Sequence, residues 1–301
     1  MAPRRFKTIS EYHQFRRLPK PEHPLISVVN FESFTQLGDD EPKSIVQDFY
    51  VVALKKNVNC TMYYGQGEYD FNEGAMFFMS PGQVFSIEAK DTLTHSGWLL
   101  LIHPDFLWNT SLVKTIKQYE YFGYSVNEAL FLSEKEEMTI TSVLKNIAEE
   151  YHSNIDKYSQ NIIISQIETL LNYAERFYQR QFITRQKSNA LILHRMEELL
   201  DGHFDNSSLV DKGLPTVKML AESLHLSPNY LNAVLKTLTG QSTQQHIHEK
   251  LIARAKERLS TTSLSVSEIA FELGYEHPQS FNKLFKTKTK QSPLEFRASF
   301  N

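Results

Sequence analysis

The chain has 301 residues, of which 41% are hydrophobic and 22% are charged, and its formal net charge is −3. This length predicts about two domains, and the composition excludes disordered, collagen-like and low-complexity proteins. The single cysteine, Cys60, excludes a disulfide framework and a zinc site built on several thiolates. The longest apolar run, residues 49–54, is too short to cross a bilayer, and the basic N-terminus lacks the apolar stretch of a secretory signal. We therefore expect a cytoplasmic protein with no membrane partner.

Residues 25–102 are predicted to form β-structure. Segments rich in Val, Ile, Phe and Tyr alternate there with turn signals such as Gly65-Gln66-Gly67 and Pro81-Gly82. The predicted strands are 25–31, 48–55, 58–64, 68–71, 75–80, 84–88 and 96–102. Strands of this number and spacing are typical of a sandwich or a barrel. Their many aromatic side chains fit an apolar ligand pocket and a filled core equally well.

The residues that follow the strands have helical periodicity. Ser133 and Glu136 have the spacing of a capping box, which predicts that a helix begins there. A second helix is predicted over residues 158–181. Its first turn contains three consecutive isoleucines, residues 162–164, so more than one face of the helix is apolar. Such a helix needs either protein core on both sides or a second subunit.

The last third of the chain contains an internal repeat with a period of 49–50 residues. Residues 220–224 match residues 269–273, and residues 228–236 match residues 278–286. Each copy has the pattern of a helix-turn-helix, in which a short helix with a buried alanine precedes a turn and a second helix. The helix predicted between the copies has about 18 residues and spans about 27 Å. That length is close to the ~34 Å between successive major-groove turns on one face of DNA.

The second helix of each copy is predicted to read DNA. Apolar residues account for its buried face, and the remaining residues, mostly amides and lysines, are predicted to point outward. They are Asn229, Asn232, Ala233 and Lys236 in the first copy, and Gln279, Asn282, Lys283 and Lys286 in the second. Asn and Gln can pair with adenine, and Lys can contact phosphate. The net charge of +4 over residues 216–301, against −7 over residues 1–215, suits a polyanionic partner.

Residues 216–298 resemble the DNA-binding domain of the AraC/XylS family of bacterial transcription regulators. The second copy carries the more specific motif, Ile269-Ala270-x-x-Leu273-Gly274-Tyr275, then Ser280-Phe281-Asn282-Lys283-x-Phe285-Lys286 and Ser292-Pro293-x-x-x-Arg297. Lys290 stands where the family usually has glycine, and Gly240 keeps that glycine in the first copy. The resemblance implies a sequence-specific regulator that binds double-stranded DNA. The predicted DNA-binding residues are Asn229, Tyr230, Asn232, Ala233, Lys236, Arg254, Gln279, Ser280, Asn282, Lys283, Lys286 and Lys290.

Many members of this family place a cupin-type jelly-roll sensor before the DNA-binding domain, and the predicted strand region resembles it through its strand count and its segment 74–82. The resemblance implies an α+β multidomain protein with a cupin-like β-barrel (jelly roll), a helical dimerisation segment and a C-terminal all-α domain with two helix-turn-helix motifs. The predicted bounds are 1–24 for an N-terminal arm, 25–110 for the barrel, 111–187 for the helical segment with a linker at 186–189, and 188–301 for the DNA-binding domain, with motifs at 216–240 and 266–290. The implied partners are a small-molecule effector in the barrel, RNA polymerase and a second copy of the chain in a homodimer.

A metal-dependent cupin enzyme with an accessory DNA-binding domain is the alternative. Such a site needs two or three histidines and a carboxylate. The predicted strands between residues 48 and 88 contain no histidine, and His95 and His103 are expected to be ordinary surface or strand-end residues. Glu68 and Asp70 fit either solvent-facing positions or a carboxylate pair in a pocket. No Gly-rich phosphate loop occurs, and the cysteine lacks a nearby histidine. Together with the shortage of histidines, this leads us to expect no catalytic residue, no metal and no cofactor.

Overall fold

The computed structural model describes residues 3–31, 44–56, 74–86, 96–125, 128–205 and 213–299. The chain divides into two compact units, residues 1–184 and residues 185–301. The described part of the first unit contains both strands and helices, and that of the second contains helices. The predicted strands 58–64 and 68–71 lie outside the described residues, as do Cys60, Glu68, Asp70 and His95.

The strands of the N-terminal unit form two sheets. β1 (Arg4–Phe6), β3 (Ser44–Gln47) and β6 (Val84–Ser86) form one sheet in the order β1-β3-β6, in which β1 runs parallel to β3. β2 (Ile26–Asn30), β4 (Tyr50–Lys56), β5 (Ala75–Met79), β7 (Ser96–Ile102) and β8 (Leu130–Phe131) form an antiparallel sheet in the order β2-β7-β4-β5-β8. The five predicted strands that fall on described residues are confirmed. Within those residues, the two sheets do not close into a barrel.

The segment predicted as an N-terminal arm contributes to the core of this unit. β1 is followed by α1 (Ile9–Phe15), which begins with a capping box formed by Thr8 and Glu11. Side chains from β1 and α1 pack against one face of the five-stranded sheet. The buried residues of this cluster include Phe6, Ile9, Tyr12, Phe31, Ile45, Phe49, Val51, Phe77, Leu99 and Leu101.

Helices cover the rest of the N-terminal unit. They are α2 (Leu112–Thr115), α3 (Glu134–Tyr151) and α4 (Ser159–Thr184), with short 3-10 helices at Pro104–Leu107, Ile116–Gln118 and Glu120–Gly123. The capping box at the start of α3 is confirmed, because the N–H of Glu136 donates to the Ser133 hydroxyl and the Glu136 carboxylate accepts from the Ser133 N–H. Ile163 and Ile164 are buried within the unit, whereas Ile162 is 43% exposed. The chain's own core therefore covers two of the three consecutive isoleucines.

The C-terminal unit begins with α5 (Gln186–Asp205), so the prediction of a linker at residues 186–189 is wrong. That segment contains no Gly or Pro to interrupt a helix, and the N–H of Asn189 donates to the carbonyl of Arg185. The following helices are α6 (Val217–Ser223), α7 (Pro228–Thr239), α8 (Thr243–Thr261), α9 (Val266–Glu272), α10 (Pro278–Thr289) and α11 (Pro293–Ala298). One hydrophobic cluster joins α5 to the helices of both repeat copies.

Stability of the N-terminal unit is expected to fall on acidification because of His13. Its imidazole is buried, with Nδ1 2.6 Å from the carbonyl oxygen of Pro19 and Nε2 2.9 Å from the hydroxyl of Ser27. Burial lowers the pKa of His13 below its ordinary value of 6.5. Below about pH 6.5 the unfolded chain therefore binds a proton that the folded chain does not, which favours unfolding. Thermal unfolding at pH 7.5 and pH 5.5 tests this, and His13→Gln should lose less stability than the parent over that interval.

Candidate nucleic-acid interface

Both repeat copies fold into the same backbone arrangement. In the first, the N–H of Leu226 donates to the carbonyl of Ala221 at 2.9 Å, and in the second the N–H of Tyr275 donates to the carbonyl of Ala270 at 3.0 Å. Both alanines are completely buried. A larger side chain at either position would separate the two helices of the motif, so the alanines fix their close approach.

A residue with left-handed backbone geometry forms the turn in each copy. In the second copy it is Gly274, with φ of 87°, and a Cβ there would lie only 2.9 Å from the backbone carbon of Gly213. In the first copy the matching residue is His225, with φ of 56°. The sequence pattern missed His225 because histidine is not a turn signal, although it adopts this conformation more often than bulky residues do.

The second helix of the second copy, α10, presents an exposed polar face. Phe281 and Phe285 are buried in the domain core, which fixes the rotation of the helix. The opposite face carries exposed side chains at spacings of three, four and seven residues: Gln279, Asn282, Lys283 and Lys286. Within the described part of the chain, these four side chains make no hydrogen bond or ion pair. This face offers two amides and two ammonium groups to a partner, and Ser280 beside it is also exposed.

The matching helix of the first copy, α7, exposes less of its surface. Asn229 and Lys236 are exposed, but Tyr230 is only 6% exposed and Ala233 only 9%. The prediction that Ala233 points outward is therefore wrong, although the register of the repeat aligns it with the exposed Lys283. Its single methyl group offers little surface to a partner. Tyr230, predicted as a DNA-binding residue, likewise has almost no surface to offer.

Asn232 differs from Asn282, its counterpart in the second copy, because it has a partner within the domain. Its Oδ1 accepts the N–H of Thr243, the first residue of α8, at 3.3 Å, and the residue is partly buried. The residue that matches Thr243 in the second copy is Pro293, which has no N–H to donate. Asn282 therefore has no equivalent bond and remains exposed. The difference between Thr243 and Pro293 therefore explains why the amide of Asn232 is engaged and that of Asn282 is not.

The remaining cationic residues lie outside the exposed polar face of α10. Arg254, on α8, donates through Nη1 to the carboxylate of Glu257 at 3.1 Å. Lys290 is exposed and follows the last residue of α10. Lys288, which is absent from the predicted DNA-binding residues, is exposed on the other side of α10. Burial lowers the pKa of His248 on α8, and the nearby ammonium of Lys288 lowers it further.

Replacing Lys290 with glycine is expected to stabilise the domain and weaken its binding to DNA. Lys290 has φ of 66°, the left-handed geometry that Gly240 adopts with φ of 75° at the end of α7. Removing a lysine from this conformation should raise the free energy of unfolding by about 1 kcal/mol. Loss of the positive charge should lower the salt dependence of DNA binding by about one unit of slope, as expected for a lysine that contacts phosphate.

Thermal unfolding and DNA titrations at several salt concentrations measure these two effects of the Lys290 change separately. Lys290→Asn is the matched variant, because asparagine also tolerates the left-handed region but carries no charge. Unchanged DNA binding in both variants would show that Lys290 does not contact phosphate.

Comparison with known proteins agrees with this geometry. Residues 220–299 match the model of a family described as a helix-turn-helix domain. The chain is 30% identical over 142 residues to the HTH-type transcriptional regulator YfiF of Bacillus subtilis, and 26% identical over 110 residues to the regulatory protein SoxS of Salmonella typhimurium. The C-terminal unit contains a helix-turn-helix domain of the AraC/XylS family.

The relatives of this AraC/XylS domain overlap the chain to different extents. The match with YfiF covers 47% of this chain and 42% of YfiF, and the match with SoxS covers 36% of this chain and 96% of SoxS. The chain thus spans less than half the length of YfiF. The solved C-terminal domain of AraT, a response regulator from Geobacillus stearothermophilus, is 30% identical, with 36% of this chain and 84% of that chain covered and a TM-score of 0.32.

Two further observations concern the described residues as a whole. No group of three or more His, Cys, Asp or Glu side chains is placed there to hold a metal ion. No described helix is long and apolar enough to cross a membrane. His103, expected above to be an ordinary surface or strand-end residue, follows β7, accepts the N–H of Asp105 through Nδ1 and caps a 3-10 helix.

Proposed function

We propose that this chain is a sequence-specific, DNA-binding transcriptional regulator whose helix α10 enters the major groove. The observation that carries the proposal is the exposed polar face of α10, which the buried Phe281 and Phe285 turn away from the core. Gln279 and Asn282 suit the donor and acceptor pattern of an adenine edge, and Lys283 and Lys286 suit guanine or phosphate. The two amides make no hydrogen bond within the described domain, so their donors and acceptors are available to a partner.

The two helix-turn-helix motifs are proposed to contribute unequally. Helix α10 carries four exposed polar side chains that are free to contact bases, whereas α7 has Asn232 engaged with Thr243 and Ala233 buried. We assign base recognition mainly to α10. Helix α7 is assigned mainly to positioning, through the exposed Lys236, which suits phosphate, while the exposed Asn229 matches Gln279 and is left as its one base contact.

Titration of the full chain with duplex DNA at increasing salt tests the proposed binding. With roughly 5–8 phosphate contacts, the logarithm of the affinity should fall against the logarithm of the salt concentration with a slope of about −5 to −7. Lys286→Ala should weaken cognate and random DNA alike and reduce that slope by about one. A flat salt response of the parent protein would contradict the proposal.

The N-terminal unit is proposed to be a cupin-like sensor that adjusts DNA binding to a small-molecule effector, with RNA polymerase as the downstream partner. Its two sheets and packed aromatic core support the sensor assignment.

Helices α3 and α4 are proposed as the homodimer surface, supported by Met138, which is 67% exposed, and by Ile162. Sedimentation of the full chain with Ile162→Asp tests this, and a monomeric parent would contradict it. The metal-dependent enzyme is less favoured because the relatives named above are regulators.

A further inference from the structure

A cleft of about 490 Å³ lies at the edge of the five-stranded sheet in the N-terminal unit. Its walls are the edge strand β2, the last two turns of α3 and residues 19–22. Small-molecule sites in proteins have volumes of roughly 300–1,000 Å³, so the cleft is large enough for one organic ligand. Val28 and Trp98 in its lining lie on the face of the sheet opposite to the one that buries Leu99 and Phe77.

Residues 19–22 form the lip of this cleft, and its first end is fixed to α1. The buried His13 lies with Nδ1 2.6 Å from the carbonyl oxygen of Pro19, and because a carbonyl only accepts, Nδ1 is the donor. Pro19 and Pro21 flank Lys20 and restrict its backbone. The backbone of Lys20 at the edge of the cleft is therefore held in place, and its side chain is exposed.

The other end of the lip is fixed to the end of α3 through Glu22. Its N–H donates to the hydroxyl of Tyr151 at 2.7 Å, and its Oε1 lies 2.6 Å from Nδ1 of His152. Because both ends of the lip are held, the cleft exists before any ligand binds. A preformed site of this kind loses little conformational entropy on binding.

The lining combines apolar surface with two free ammonium groups. The apolar surface comes from Val28, Trp98, Ala148 and the ring of Tyr151. Lys20 on the lip and Lys145 on α3 lie on different walls, and neither makes an ion pair or hydrogen bond with another described residue. Of the two carboxylates in the lining, that of Glu22 is paired with a histidine, and that of Glu149 lies one turn beyond Lys145 on the same exposed side of α3.

We propose that this cleft binds a small organic anion with a flat apolar body. Lys20 and Lys145 hold the anionic group between them, and Trp98 covers the apolar body. Both lysines are exposed, so their ammonium groups are available for charge-assisted contacts with the anion, and an aromatic wall favours a planar ligand. Control of DNA binding by this ligand rests on the proposed function. Binding of the ligand in the cleft does not rest on it.

The test uses the full chain and two fluorescent probes with the same aromatic body. One is 8-anilinonaphthalene-1-sulfonate, an anion, and the other is N-phenyl-1-naphthylamine, which lacks the sulfonate. The chain has two tryptophans, so Trp108→Phe leaves Trp98 alone, and energy transfer from Trp98 reports a probe bound in the cleft. Lys20→Gln with Lys145→Gln should weaken binding of the anionic probe roughly ten-fold and leave the neutral probe within about two-fold.

The matched control for the probe experiment is Lys117→Gln with Lys135→Gln. It removes two exposed lysines of the same unit that do not line the cleft, and it should leave both probes unchanged. Equal affinity of the anionic probe for the two double variants would overturn the proposal, as would the absence of energy transfer from Trp98 in the parent. Circular dichroism melting confirms that each variant is folded. No DNA is present, so failure here is distinct from failure of the proposed DNA binding.

Discussion

Replacing Phe285 with alanine is expected to destabilise the C-terminal unit by about 3–5 kcal/mol. The ring is completely buried and packs at centroid distances of 5.7 Å from Phe281 and 5.5 Å from Phe296. Removing it leaves a cavity beneath α10, where the surrounding side chains are already held by the core. The exposed face of α10 should lose its fixed orientation with the loss of this packing.

Amide hydrogen exchange of the full chain measures the effect of the Phe285 change locally. The free energy of opening of the α10 amides should fall by about 3–5 kcal/mol, whereas that of the amides in the N-terminal sheet should not change. The matched control is Phe271→Ala, since Phe271 on α9 is 48% exposed and its removal leaves a smaller cavity. Similar losses of protection in the two variants would contradict the assignment of Phe285 as the residue that anchors α10.

Replacing the two matched asparagines is expected to give opposite results. Asn282→Ala removes an exposed amide without a partner, so it should cost about 1–3 kcal/mol on the cognate DNA site and leave stability nearly unchanged. Asn232→Ala removes the acceptor of the Thr243 N–H, so it should cost about 1 kcal/mol of stability and change sequence discrimination little. Titrations on cognate and random duplexes, together with thermal unfolding, separate the two effects.

The reciprocal changes test the physical cause of this difference. Thr243→Pro removes the N–H that engages Asn232, at the first position of a helix, where proline is tolerated. Pro293→Thr supplies an N–H near Asn282, and it should reduce discrimination between cognate and random DNA. Equal loss of cognate and random binding in Asn282→Ala would show that the base-reading face has been assigned wrongly.

Sequence reasoning located the helix-turn-helix motifs because several independent signals agree there. The repeat, the buried alanines and the phases of the apolar residues all depend on local spacing, which the fold preserves. The capping box at Ser133 and Glu136 was equally local, and the structure contains it. By contrast, β1 and β3 have only three and four residues, and they are strands because of partners distant in sequence.

Side-chain availability at the interface was harder to predict than helix position. The register of the 50-residue repeat placed Ala233 and Lys283 on equivalent faces of their helices. The structure nevertheless buries the alanine and exposes the lysine. The bond between Asn232 and Thr243 joins two helices, so no pattern within α7 reveals it. The aligned repeats place Thr243 opposite Pro293. Because only Thr243 has an N–H to donate, this pair was the sequence signal that Asn232 is engaged and Asn282 is not.

Selection of duplexes from a random DNA library by the full chain tests the central claim most directly. The parent protein should enrich a defined sequence, Asn232→Ala should enrich the same sequence, and Asn282→Ala should lose the positions that α10 reads while still binding DNA at low salt. Failure of the parent to enrich any sequence would contradict sequence-specific recognition, and an unchanged sequence from Asn282→Ala would contradict base reading by the exposed face of α10.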